Sequence, residues 1–249
     1  LCDVGIHINS FNTNINDEVF RNFDVSISDS YINDSEFDNI LLEECSGVNI
    51  SNIESKNRRI RLRGIKNCSF FDINHSNGSL SIYGQNTSVS NPSNLSNNNI
   101  KLDNIFISNG RLLFQDIKGV TCGAIYIADS PSEGCNFTRT ANITVNSMII
   151  KRSNTRNLLI SKGQHIDLNF LNIEAGLSST RSLEIGGGDA NAVSQDIRIL
   201  DAIYRHSKGT GSNDILLQGG TYAPKRLYIK MAYLDEAVSI PAWQYYLRD

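Results

Sequence analysis

Three carboxylates in this chain have a spacing that could support acid–base chemistry. Glu184 stands in the run 182–186 (SLEIG) between Leu183 and Ile185, and Asp214 opens the similar run 214–218 (DILLQ). Alternation that turns Leu183 and Ile185 inward turns Glu184 outward. If the two runs are neighbouring strands, Asp214 lies one strand on and two residues back, a diagonal of about 8 Å. Asp189 sits in the loop that follows the first run. Hydrolysis of a glycosidic bond needs one carboxylic acid to protonate the leaving oxygen and a second carboxylate to attack or to activate water. Their separation sets the outcome, roughly 5.5 Å for retention and roughly 6.5–9.5 Å for inversion. The plainer reading, an ordinary carboxylate on a solvated face, stays open for Glu184.

The same alternation lines up two outward columns. The first reads Leu41, Arg61, Ser81, Tyr126, Leu159, Glu184, Leu216, Ser239, and the second Glu43, Arg63, Tyr83, Ala128, Ser161, Gly186, Gln218. Arg61, Arg63, Tyr83, Tyr126 and Gln218 would then share one strip with Glu184, and Asp129 would begin its rim. Aromatic faces for sugar rings, with charges and amides for hydroxyls and acidic groups, are what a long polysaccharide requires of a surface. Arg58, Arg59, Arg61 and Arg63 form a basic stripe suited to an acidic sugar such as a uronic or sialic acid. A salt-linked stripe against Glu43 and Glu44 is the alternative.

All of these placements depend on a repeated unit. Residues 157–173 hold it most plainly: a short alternating strand, a Lys162-Gly163-Gln164 corner, and a second alternating run with Ile166, Leu168 and Phe170 on one side. The first strand recurs at 5–8, 39–43, 59–63, 79–83, 124–127, 182–186, 214–218 and 237–240. The second recurs at 25–29, 48–53, 68–73, 100–107, 143–148, 197–203 and 227–231. Steps of about twenty to thirty residues, cleanest from Ile40 to Ile60 to Leu80, are the mark of a β-solenoid whose repeats bury their apolar faces on one another. Residues 108–123 fit either an extra strand pair or one irregular repeat. The loops after Tyr83, Ala128, Gly186 and Gln218 are expected to leave one shared corner and to form a lip over the strip.

Composition sets bounds. With 249 residues and 40% hydrophobic content the chain can bury one substantial core, read as a single domain over 1–249 that begins inside the solenoid, as a fragment or trimmed product. A net charge of −3 gives no support for general nucleic-acid binding. No apolar run is long enough to cross a bilayer, so no membrane insertion is expected. Five cysteines without a CxxC pair read as buried reduced thiols. The four histidines form no metal-ligand spacing, and neither metal nor cofactor is expected. Gly186-Gly-Gly-Asp189 lacks the Lys-Ser/Thr and the strand-to-helix context of a phosphate loop and reads as a sharp corner. Trp243, Tyr245 and Tyr246 would cap the stack or meet another subunit.

An Asn-rich pattern of short strands with insertions at one corner resembles the pectin-lyase-like β-helices, and among them the tailspikes of bacteriophages. The resemblance covers nearly the whole chain but rests on architecture and composition. It implies an all-β, right-handed parallel β-helix, a homotrimer on the virion assembled in the host cytoplasm, and a groove for bacterial surface polysaccharide. For the hydrolytic members it implies paired carboxylates. Three activities remain open: an endo-glycosidase, a non-catalytic adhesin, and a polysaccharide lyase with Arg61 or Tyr83 moving the proton.

Overall fold

The computed structural model describes residues 4–9, 21–22, 24–84, 91–176, 181–186, 188–190, 192–205, 215–217 and 221–234. The chain alternates between two long parallel sheets. The first comprises, in spatial and chain order, Val4–Asn9, Asp38–Glu43, Arg59–Arg63, Ser79–Tyr83, Arg111–Gln115, Cys135–Thr138, Arg156–Ser161, Arg181–Gly186 and Ile215–Leu217. The second runs from Ser26–Asn33 through Asn49–Lys56, Ser69–Ser76, Asn97–Ser108, Lys118–Ala128, Ala141–Lys151, the split pair Gln164–Leu168 and Leu171–Glu174, and Gln195–Arg205 to Lys225–Leu234. Each repeat gives one strand, or one split pair, to each sheet. This all-β arrangement is compatible with a parallel β-helix.

Register follows the apolar pattern. Ile40, Ile60, Leu80, Leu112, Cys135, Leu158, Leu183 and Ile215 are successive partners across the first sheet. All eight are buried. A slip of one residue would turn that whole set to the outside, so burial itself holds the register. The next inward column stacks Phe114 on Phe137, with ring centroids 5.0 Å apart.

In the second sheet the alternation breaks once per strand. Buried positions step by three, from Ile50 to Ile53, Phe70 to Ile73, Leu102 to Ile105, Val145 to Met148 and Leu168 to Leu171. In the early strands the added residue is Asn52, Asp72 or Asn104, each with positive φ. Phe170, expected on the inward side with Ile166 and Leu168, falls at this bend and is only half-buried.

The corners explain the Asn- and Asp-rich composition. Asp34, Asn57, Asn77, Asn109, Asp129 and Arg152 all have positive φ at the corner that leads into the first sheet. Asn and Asp tolerate the left-handed region better than other side-chain-bearing residues. Stacked copies also bond to one another: Asn77 Nδ2 donates to Asn57 Oδ1 at 2.8 Å, and Asn109 Nδ2 to Asn77 Oδ1 at 2.8 Å. Inside this corner Asn39 donates to the Lys56 carbonyl and to Ser55 Oγ, both at 2.8 Å, and Asn157 donates to the Glu174 carbonyl at 2.8 Å. These buried amides tie the start of a first-sheet strand to the end of the second-sheet strand that follows it in the chain.

Four of the cysteines, Cys45, Cys68, Cys122 and Cys135, are free and buried in the core; Cys2 lies outside the described residues, as do Trp243, Tyr245 and Tyr246. Among the described residues no helix is long and apolar enough to cross a membrane.

Candidate functional site

The outer face of the first sheet carries most of the nominated residues, in a changed order. Residues 124–127, expected in that sheet, belong to the second-sheet strand Lys118–Ala128. Two strands that composition disguised take their place: Arg111–Gln115, in the ambiguous stretch, and Cys135–Thr138, in a stretch read as loop. The true outward column is Leu41, Arg61, Ser81, Leu113, Asn136, Leu159, Glu184, Leu216. Its neighbour is Glu43, Arg63, Tyr83, Gln115, Thr138, Ser161, Gly186.

Tyr126 therefore leaves the strip. It lies on the outer face of the second sheet, its ring stacked on Phe106 with centroids 4.9 Å apart. Asp129 sits at the corner that enters the first sheet, where Arg152 holds it through two nitrogens at 2.7 and 2.9 Å. That pairing keeps the Asp129 carboxyl below its ordinary range. The shared-corner expectation is corrected with it: the insertions after Tyr83 and Gly186 leave the far corner of the first sheet, whereas the segment after Ala128 leaves the opposite one. Asp214 and Gln218 lie outside the described residues.

The sheet is consequently bordered on both sides. Turns into the first sheet are short at 57–58, 77–78 and 109–110 and lengthen to 129–134 and 152–155. On the other side the described part of the insertion after Tyr83, residues 91–96, lies along the stack, where its Pro92–Asn94 turn buries Pro92. From there Ser93 receives Lys118 Nζ at 2.8 Å and bonds to Gln164. Between these borders the floor offers Gln115, Asn136, Thr138 and Ser161, all half-buried. Sequence reasoning missed the first three. The signal was present in the alternation of Leu112 with Phe114 and of Cys135 with Phe137, but the second of these strands is only four residues long.

The arginine pairs on this face share one organisation, with the acid beneath and the guanidinium above. Buried Asp38 receives Arg59 Nε at 3.0 Å and Arg61 at 2.5 Å. Buried Asp116 pairs with Arg139 at 2.6 Å. Arg63 lies 4.0 Å from Glu43 and is largely exposed. Arg58 donates instead to the Ser35 carbonyl at 2.7 Å. Further along, Arg111, Glu133, Arg156, Glu184 and Arg181 form a continuous chain of ion pairs at 3.4, 3.2, 2.5 and 2.9 Å.

Glu184 points away from the core, as the alternation predicts, yet it is buried, because Arg156 and Arg181 lie across it. Burial pushes its carboxyl up, but hydrogen bonds from Arg181 and Arg156, aided by their charges, outweigh this and hold it below its ordinary range. It is thus kept as a carboxylate. Asp189, on the adjoining loop, meets Lys162 Nζ at 2.5 Å and accepts from the Ala192 amide at 3.1 Å. Among the described residues no group of three or more His, Cys, Asp or Glu side chains could hold a metal ion.

Fold and face together define an all-β protein of stacked parallel strands that presents a bordered, arginine-lined polar surface. No family model, no curated protein and no solved structure matches the chain.

Proposed function

We propose that the chain is a tailspike-like, right-handed parallel β-helix, one subunit of a homotrimer on a phage tail, that binds a bacterial surface polysaccharide along the outer face of its first sheet. The observation that carries this reading is the outward strip from Arg61 and Arg63 through Tyr83, Gln115, Asn136, Thr138 and Ser161 to Arg156 and Arg181, which cover Glu184. Successive strands stand about 4.8 Å apart. A row of amides, hydroxyls and guanidiniums at that repeat suits an extended chain of sugars better than a compact ligand. The virion setting and the trimer rest on the resemblance of the Asn-rich repeats alone.

Cleavage as an endo-glycosidase is the extended form of this reading. Glu184, held ionised, suits the nucleophile or the base and not the proton donor. Asp189 is salt-linked too, so the acid falls to Asp214, which precedes Ile215–Leu217 in the sequence. The competing form, an adhesin with the same strip and no cleavage, is favoured by one observation: both available lone-pair directions of Glu184 Oε2 are taken by guanidiniums.

Incubation with purified capsular polysaccharide or O-antigen, following new reducing ends, separates the two. An endo-glycosidase releases them, and Glu184→Gln abolishes release. Binding without release leaves the adhesin, and full activity in the variant removes Glu184 from the chemistry. No binding to any host polysaccharide overturns the whole reading.

A further inference from the structure

Resting on that reading, we infer that the polysaccharide is acidic, and that its carboxylates bind the arginines of the Arg111–Glu133–Arg156–Glu184–Arg181 chain by taking the place of Glu133. The exposures within this chain carry the argument. Arg111, Arg156 and Arg181 are 37, 29 and 34% exposed, whereas Glu133 is 18% and Glu184 only 4% exposed. An approaching ligand meets guanidiniums first, with the protein's own acids lying behind them. Within this chain of pairs three guanidiniums alternate with two carboxylates.

The two acids hold their arginines with unequal strength. Glu184 receives Arg156 and Arg181 at 2.5 and 2.9 Å, whereas Glu133 lies 3.2 Å from Arg156 and 3.4 Å from Arg111. Glu133 is the looser and more accessible partner, so a ligand carboxylate can displace it. Glu184 then remains as the anchor that keeps Arg156 and Arg181 extended. Planar guanidiniums bind carboxylates through paired parallel bonds that a neutral sugar hydroxyl cannot reproduce. Arg111 and Arg156 stand two strands apart, so two acidic groups about 10 Å apart along the bound chain would match them. This stretch lies apart from the Arg59–Arg61–Arg63 stripe, where Arg59 and Arg61 share the buried Asp38.

The test uses a panel of purified acidic capsular polysaccharides, each in native and carboxyl-reduced form, with binding measured by titration calorimetry at two salt concentrations. The native forms should bind at least about tenfold more tightly than the reduced forms, with affinity falling as salt rises. Glu133→Gln removes the internal competitor and should tighten the acidic probe by roughly threefold or more, whereas a merely structural Glu133 would give no change or a loss. Arg111→Gln, at an exposed position, should weaken it by about tenfold. Equal binding of native and reduced polymer, or an unchanged or weaker Glu133→Gln, overturns the inference and leaves polysaccharide binding intact. Absence of binding to every polysaccharide, acidic and neutral, overturns the underlying reading instead.

Discussion

Arg156 and Glu184 meet at 2.5 Å across two adjacent strands of the first sheet, and that pair decides what this face can do. Glu184 sits opposite Leu159 in register, while Arg156 lies three residues earlier on the same strand and reaches diagonally across. An acid that strand alternation turns outward is thereby covered and held charged.

Replacing that charge should be felt in stability. Glu184→Gln keeps the shape but leaves Arg156 and Arg181 without their shared anion. Breaking a fully buried pair costs about 3–5 kcal/mol, and with both arginines roughly a third exposed a loss of about 2 kcal/mol is expected in urea unfolding. The carboxyl is depressed below its ordinary value near 4.5, so its contribution is complete above that pH and is lost as pH falls through the lower folded value. The variant should lack this acid limb.

A second and earlier acid response should come from His75. Its ring is wholly buried, with Nδ1 3.2 Å from the Ser55 carbonyl, and burial pushes its pKa down from 6.5 to about 4. The unfolded chain takes up a proton that the folded ring refuses, so stability is full above about 6.5 and declines towards pH 4, by about 3 kcal/mol in all. His75→Val, matching the Ile107 and Ile127 that follow it in the same column, should flatten the urea midpoint across that window.

The corner ladder predicts a graded pair of variants. Asn77 combines φ of 56° with side-chain bonds to Asn57 and Asn109. Asn77→Ala loses both bonds and must hold alanine in the left-handed region, for a cost of about 2–3 kcal/mol. Asn77→Gly relieves the backbone term and should cost less. Equal losses in thermal unfolding would mean that the ladder bonds alone matter.

Cys122 and Cys135 should resist thiol reagents in the native protein. Both are fully buried, and burial pushes both thiols well up, which keeps the reactive thiolate scarce. Labelling mapped by mass spectrometry should find them modified only after denaturation.

The repeat was legible in the residues themselves. A step of about twenty from Ile40 to Ile60 to Leu80, with polar residues between, leaves few ways to bury those side chains except by stacking, and those three are paired in the structure. The strip was legible in part: Arg61, Arg63, Tyr83 and Glu184 do share one face. Tyr126 and Asp129 were misplaced because, over a run as short as four residues, strands of both sheets alternate with period two. The run 124–127 looks like a strand of either sheet, and a four-residue strand such as Cys135–Thr138 is too brief to announce itself.

What the sequence determined by itself was therefore the stacking of short strands and the identity of the core, since alternation and interval are local properties of the chain. Which sheet each strand joins, which corner each insertion leaves, and the covering of Glu184 by Arg156 and Arg181 were decided only in the tertiary structure. Those depend on register between strands twenty or more residues apart, and the length of each corner sets that register for every strand that follows.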